Sequence, residues 1–243
     1  MAKYNTKDDV VFESVDYVYD KYKILRDDFY GNTSTLFKYK KGKLLKIFGE
    51  PIHEVQYKTI KFINKLKTKA SAKIHSFVHI EGDRIGYIVD EVPGRNLLEI
   101  PVKTNVRDFI SSMSPVEDDV RLLSKNGIIT EDLKPTNLMY DIKSNRSSII
   151  DEDLYIRLKD ESKEIITINN LNTLYLSVLE TLVSPTKGAI DEEFYNYLVC
   201  LINDNYFDAS IEEFYDYLIE EINGYFDRDI ESIGDVRKVF RNK

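Results

Sequence analysis

The apolar periodicity of this chain changes once, at Pro93-Gly94, and that change limits the folds open to it. Before it, short runs alternate apolar and polar residues as half-buried strands do. They are Tyr22-Lys23-Ile24-Leu25, Thr35-Leu36-Phe37-Lys38-Tyr39, Lys43-Leu44-Leu45-Lys46-Ile47-Phe48, Ser76 to Ile80 and Arg84 to Glu91. Gly31-Asn32, Lys41-Gly42 and Glu81-Gly82-Asp83 supply turn signals between them. Pro51 opens one helical stretch within the series, where Val55, Phe62, Ile63 and Leu66 recur at helical spacing. Beyond Pro93-Gly94 the pattern is mostly helical: Val116 to Lys125, Leu171 to Leu182, and two similar segments, Glu192 to Leu198 and Glu212 to Leu218. Asn126-Gly127 stops the first, and Ser210 with Glu213 offers a capping box for the last. Strands gathered first and helices after them argue for an α+β class: a five-stranded antiparallel sheet with one helix, then a mainly helical lobe. Alternating βαβ units are missing from the pattern, which argues against a doubly wound sheet.

The expected organisation is an N-terminal arm at 1–20, a short helix or loose segment, then lobes at 21–92 and 93–243 of one bilobal domain. No apolar run approaches the ~20 residues a membrane-spanning helix needs. Met1 to Asp20 is polar and acidic, unlike a secretory signal, so the expected compartment is the cytoplasm. An effector exported without a cleaved signal fits the same sequence. The single Cys200 rules out an intrachain disulfide, and its apolar neighbours make it a buried small hydrophobe rather than a nucleophile. The net charge of −8 is uneven. Residues 1–70 carry 15 Lys and Arg against 9 Asp and Glu, a balance suited to anionic ligands or simply to solvated faces. Residues 181–243 carry 6 against 14, which argues against nucleic acid as a partner.

The densest polar set is Asp132-Leu133-Lys134-Pro135-Thr136-Asn137, flanked by the apolar pairs Ile128-Ile129 and Leu138-Met139 and followed by Ile149-Ile150-Asp151-Glu152-Asp153. Acid, cation and amide at this spacing suit the holding of a metal-bound phosphate against a hydroxyl nucleophile. A turn-and-cap pair is the bland alternative for Asp132 and Asn137, and a solvated loop acid for Asp151.

The order of strands, break and helices, with this set, resembles the protein-kinase-like superfamily over roughly residues 21–225. The family's catalytic loop reads His-Arg-Asp-Leu-Lys-Pro-x-Asn. The chain has Thr130-Glu131 and then the intact core Asp-Leu-Lys-Pro-x-Asn. The resemblance implies ATP and magnesium (or manganese) as cofactors. It implies that Asp132 orients the attacking hydroxyl and that Lys134 balances charge on the transferred phosphoryl group. It implies Asn137 and Asp151 as metal ligands, with Asp153 as a substitute for Asp151. Lys46, at the place of the family's third-strand lysine, would meet the α- and β-phosphates, held by Glu54 or else Glu50 on the following helix. Tyr87 to Leu97 resembles the last strand and hinge of the first lobe, so backbone groups of Glu91, Val92 and Pro93 would meet the adenine edge; Pro93 offers only its carbonyl. Leu174 to Glu180 resembles the central helix of the second lobe, which leaves about 17 residues, 154–170, for an activation segment.

Four departures shape the expected function. Asp28 to Ser34 keeps one glycine, Gly31, of the family's phosphate-covering loop, so Ser34 or Thr33 would help cradle the phosphates. Thr130 and Glu131 replace the histidine and the arginine that would clamp a phosphorylated segment. Glu152-Asp153 replaces the Phe-Gly after the metal-binding aspartate. The short segment leaves no room for a loop-phosphorylation switch. The resemblance implies transfer of the ATP γ-phosphate to a hydroxyl, Ser or Thr of a protein. Two alternatives stand beside it. One is a nucleotide-binding pseudokinase acting through partners. The other is a small-molecule kinase similar to aminoglycoside or choline phosphotransferases.

Overall fold

A computed structural model describes residues 9–25, 34–183, 191–204 and 209–241. Gly31, Thr33 and most of the glycine-loop segment lie outside these described residues. The chain folds as two compact units, one of residues 1–66 and 72–92, the other of residues 67–71 and 93–243.

The first unit is built on one sheet. Its elements are β1 (Val10–Phe12), α1 (Val15–Lys21), β2 (Ser34–Lys40), β3 (Lys43–Phe48), α2 (Glu54–Ile63), β4 (Ile74–Ile80) and β5 (Asp83–Asp90). The strand order is β1-β4-β5-β3-β2. The expected antiparallel pairings β2-β3, β3-β5 and β4-β5 are present. The fifth strand differs from expectation. Tyr22 to Leu25 makes only an antiparallel bridge, Ile24 with Phe37, and the edge position goes to β1, paired in parallel with β4. Within the segment read as a short helix or loose arm, α1 is such a helix, and Val10–Phe12 before it joins the sheet.

Helices cover both faces of this sheet. On one face Leu45, Ile47, Val78 and Ile88 pack with Val18 of α1. On the other, Phe77 and Tyr87 pack with Ile60 of α2, and Tyr57 and Phe48 lie against them. Successive strand residues point to opposite faces, so Lys46 shares the α2 face with Phe48. On α2 the buried positions are Thr59, Ile60 and Ile63, whereas Val55, placed on the apolar stripe by spacing alone, is 66% exposed. The stripe begins one turn later than the sequence suggested.

The second unit begins with β6 (Arg95–Asn96), α3 (Val106–Ser112), α4 (Ser114–Lys125) and β7 (Ile128–Ile129). It continues with β8 (Leu138–Asp141), β9 (Arg146–Ile149), β10 (Ile156–Arg157) and α5 (Lys163–Val183). It ends with α6 (Glu192–Asn203), α7 (Ile211–Phe226) and α8 (Ile233–Val239). The apolar pairs read around the polar loop are strands: β7 pairs with β10, and β8 pairs with β6 and β9. Gly127 ends α4 at φ +77°, and a Cβ there would stand 2.3 Å from the Leu158 carbonyl oxygen, so glycine is required on both counts. The helix read from Leu171 starts earlier, at Lys163, which shortens the connection after the Asp151 loop further. Cys200 is exposed, against expectation. The buried stripe of α6 is Phe194, Leu198 and Ile202, and Cys200 falls off it. Among the described residues, no helix is long and apolar enough to cross a membrane.

Candidate active site

In the second unit the loop from Thr130 to Asn137 is held from behind by α5. The Asn170 side chain accepts a hydrogen bond from the Thr130 N–H at 2.9 Å. Its amide donates to the Ile128 carbonyl and the Ser124 hydroxyl, both at 2.8 Å. Ser177, seven residues further along α5 and so on the same face, donates its hydroxyl to the Leu133 carbonyl at 2.6 Å. The backbone on either side of Asp132 is thus fixed by buried polar side chains. Neither Asn170 nor Ser177 stood out in the sequence. The signal available was a polar residue on the mostly apolar buried face of the helix.

The side chains on this loop interlock. Asn137 donates its amide to the Asp132 carboxylate at 2.7 Å and to the Asp132 carbonyl at 3.0 Å. Lys134 Nζ stands 2.8 Å from the other carboxylate oxygen. Charge-assisted bonds of this kind are short and directional, so both Asp132 oxygens are oriented. The Asp132 side chain is 20% exposed and that of Lys134 57%, which leaves both within reach of a ligand. With its nitrogen given to Asp132, Asn137 has its amide oxygen left to offer.

The β8-β9 hairpin brings Asp151 to Asn137. Its register pairs Leu138 with Ile149, and the Ile150 N–H donates to the Asn137 carbonyl at 2.9 Å. Asp151 follows directly, in a left-handed conformation at φ 67°, ψ 57°. Aspartate is among the side chains that adopt this conformation most readily, here at the turn that follows β9. An amide oxygen and a carboxylate at one hairpin end are hard donors of the kind that suit magnesium, which takes few protein ligands and completes its shell with phosphates and water. Among the described residues, no group of three or more His, Cys, Asp or Glu side chains is arranged to hold a metal. A two-ligand oxygen site is a different arrangement from such a cluster.

The two residues after Asp151 turn inward. Glu152 and Asp153 are buried. Burial raises the Glu152 carboxyl to about pKa 7; the Ser71 hydroxyl lowers it, and the charges of Asp119 and Asp153 raise it further. Tyr155 is also buried, and desolvation with the charges of Glu152, Asp132, Asp151 and Asp153 holds its phenol well above the ordinary range. Asp119, on α4, accepts hydrogen bonds from the backbone N–H groups of Lys69, Ala70 and Ser71 at 2.7 to 3.0 Å. It also accepts one from the Ser71 hydroxyl at 3.3 Å. This carboxylate ties the 67–71 segment into the second unit.

In the first unit, Lys46 is buried on β3, its ammonium 5.0 Å from the Phe48 ring centroid and 5.8 Å from that of Tyr87. Tyr87 is its cross-strand neighbour. Gly86, the next residue on β5, packs against the Lys46 carbonyl so closely that a Cβ would lie 2.2 Å from it. Glu54 is the only acid on α2, and its side chain is 59% exposed. It reaches Lys58 at 3.4 Å and Arg84 at 3.6 Å, so the carboxylate expected for Lys46 faces other cations. It sits at the first residue of the helix, where a negative charge suits the helix dipole. Ser34 opens β2 opposite Phe48. The Glu91 N–H is bonded to the Gly42 carbonyl at 2.9 Å and its side chain pairs with Lys38.

No protein-family model and no curated protein sequence matches this chain. Solved structures do. The Cydia pomonella granulovirus kinase PK-1 is similar with a TM-score of 0.52 and 22% identity, over 74% of this chain and 76% of that one. The autoinhibited serine kinase domain of the giant muscle protein titin is similar with a TM-score of 0.57 and 16% identity, over 93% of this chain and 82% of that one. At these identities the likeness is one of architecture, and it agrees with a first unit built on a five-stranded sheet and a helical second unit. The chain has a protein-kinase-like fold.

Proposed function

We propose that this chain is an ATP- and magnesium-dependent phosphotransferase that moves the γ-phosphoryl group to a hydroxyl, a Ser or Thr of a protein. The observation that carries the reading is the interlocked set Asp132, Lys134 and Asn137, with Asp151 brought beside Asn137 by the β8-β9 register. Asp132, oriented by Asn137, accepts a hydrogen bond from the attacking hydroxyl and aligns it. Lys134 keeps ammonium hydrogens to spare beyond its contact with Asp132 and balances charge on the phosphoryl oxygens. Asn137 and Asp151 hold the magnesium ion, which would neutralise charge on the nucleotide phosphates. Lys46 is assigned to the α- and β-phosphates, and the Glu91 and Val92 backbone to the adenine edge. Phosphoryl transfer asks for positioning and charge stabilisation rather than covalent help, and these residues supply both.

The test is transfer from labelled Mg-ATP to a panel of Ser- and Thr-containing proteins, with Asp132→Asn and Asp151→Asn as controls. Each substitution is expected to lower the rate by about 10²–10³. Equal rates in all three proteins would sink the assignment. A second reading draws on Glu54, which faces Lys58 and Arg84: a nucleotide-binding module without turnover. Saturable ATP binding with no transfer by the wild type would favour it.

A further inference from the structure

The repeated segments Glu192 to Leu198 and Glu212 to Leu218 open α6 and α7 in the same way. Phe194, Leu198, Phe214 and Leu218 are buried, while Tyr197 and Tyr217 stay 42% and 45% exposed. A groove of about 500 Å³ lies between the two helices. Its walls carry the rings of Phe194, Tyr197 and Tyr225 and the carboxylates of Glu193, Glu220 and Glu221. Phe194 and Tyr225 stack at 3.9 Å with their planes 7° apart. Tyr197 donates its hydroxyl to Glu221 at 2.9 Å. A Cβ built on Gly224, also in the lining, would meet nothing within 4 Å, so the groove is open there.

Glu193 stands in the first turn of α6, where negative charge suits the helix dipole, but Glu220 and Glu221 have no such setting. Neither α6 nor α7 contains a single Lys or Arg. Among the described residues, no cation pairs with Glu193, Glu220 or Glu221. Glu220 and Glu221 stand past the middle of α7, away from its favourable first turn, and its last turn has no basic residue. Aromatic faces beside unpaired carboxylates are the chemistry that receives ammonium and guanidinium groups. Three carboxylates in one open groove are a complement for a chain bearing several cations rather than for one amine.

We propose that the groove between α6 and α7 docks a lysine- and arginine-rich segment of the protein that accepts the phosphoryl group. The docking rests on the phosphotransferase reading only for the identity of that partner. It is measured by fluorescence anisotropy with Asp132→Asn protein and no ATP, so that binding is read apart from catalysis. The probe is a labelled Ser-containing peptide rich in Lys and Arg, and its twin has Gln in place of every cation. The basic peptide binds, more weakly as salt is raised, and the twin does not. Glu220→Gln with Glu221→Gln, or Tyr197→Ala alone, weakens binding about tenfold. The double variant melts at the same temperature as its parent, because Gln keeps the acceptor that Tyr197 uses and the charges removed pair with no cation among the described residues. Equal binding of the twin, or unchanged binding by both variants, overturns the docking. So does spermine binding without peptide binding, or self-association of the chain through this face. Docking without any phosphate transfer by the wild type refutes the enzymatic reading alone. Transfer that shows no preference for the basic peptide refutes the docking alone.

Discussion

The two units hold their candidate functional groups by different physics. Of the eighteen buried polar or charged residues described, three, Lys46, Thr59 and His79, lie in the first unit and fifteen in the second. Lys46 is set by the sheet: strand parity puts it on the α2 face, and aromatic rings flank its ammonium. Asp132 and Asn137 are set by hydrogen bonds, from each other and, through the backbone, from Asn170 and Ser177. A side chain in an apolar setting is held by packing, whereas a satisfied polar network fails when one member leaves. The second unit is therefore where single substitutions should do the most damage.

Asp119 gives the largest expected effect on stability. Asp119→Ala removes the acceptor of three backbone N–H groups and a hydroxyl. Each buried donor left unpaired costs about 1–3 kcal/mol, part of which entering water restores. We expect a loss of about 3 kcal/mol in urea unfolding. Hydrogen exchange at Ala70 and Ser71 should speed up before exchange in β4 does. A loss below ~1 kcal/mol would mean that the 67–71 segment is held by something else, and the contrast between the units would weaken.

Glu152 tests the same network through pH. Its carboxyl is raised to about pKa 7, mainly by burial, whereas an unfolded glutamate ionises near 4.5. Between those values the folded protein binds a proton that the unfolded chain does not, so this group's stabilising contribution falls as pH rises. The contribution is complete below about 4.5 and gone above about 7. Its size is on the order of 3 kcal/mol at 1.36 kcal/mol per pKa unit. Unfolding followed in chelator, wild type against Glu152→Gln, isolates it: the difference between the two should change across this window. A constant difference would show that Glu152 is ionised in the folded protein throughout.

How far the sequence revealed this contrast follows from range. The break at Pro93-Gly94 and the Asp-Leu-Lys-Pro-x-Asn core were legible because periodicity and a six-residue motif are local signals. The anchors of the loop were not. Asp119 reaches Ala70 across 49 positions, Asn170 reaches Thr130 across 40 and Ser177 reaches Leu133 across 44, and apolar spacing says nothing of such partners. The parallel pairing of β1 with β4 escaped for the same reason: a three-residue strand announces no register with a strand 68 positions away. Cys200 escaped differently. Its neighbours are apolar, but burial on a helix depends on the face a residue occupies, and its face is the outer one.

The smallest expected effect is the sharpest test of the first unit. Glu54 occupies the place where the resemblance puts the partner of Lys46, yet it is mostly exposed and faces Lys58 and Arg84. Exposed pairs of this kind contribute between nothing and about 1 kcal/mol. Glu54→Gln should therefore cost less than ~0.5 kcal/mol. It should also leave the affinity for ATP, read by nucleotide fluorescence or calorimetry, unchanged. Lys46→Ala should weaken that affinity about tenfold or more, the ordinary result of removing a cation from phosphate oxygens. Were Glu54 the group that positions Lys46, the two substitutions would weaken nucleotide binding together. Separate outcomes would mean that burial on the α2 face of the sheet, and not an ion pair with Glu54, aims Lys46.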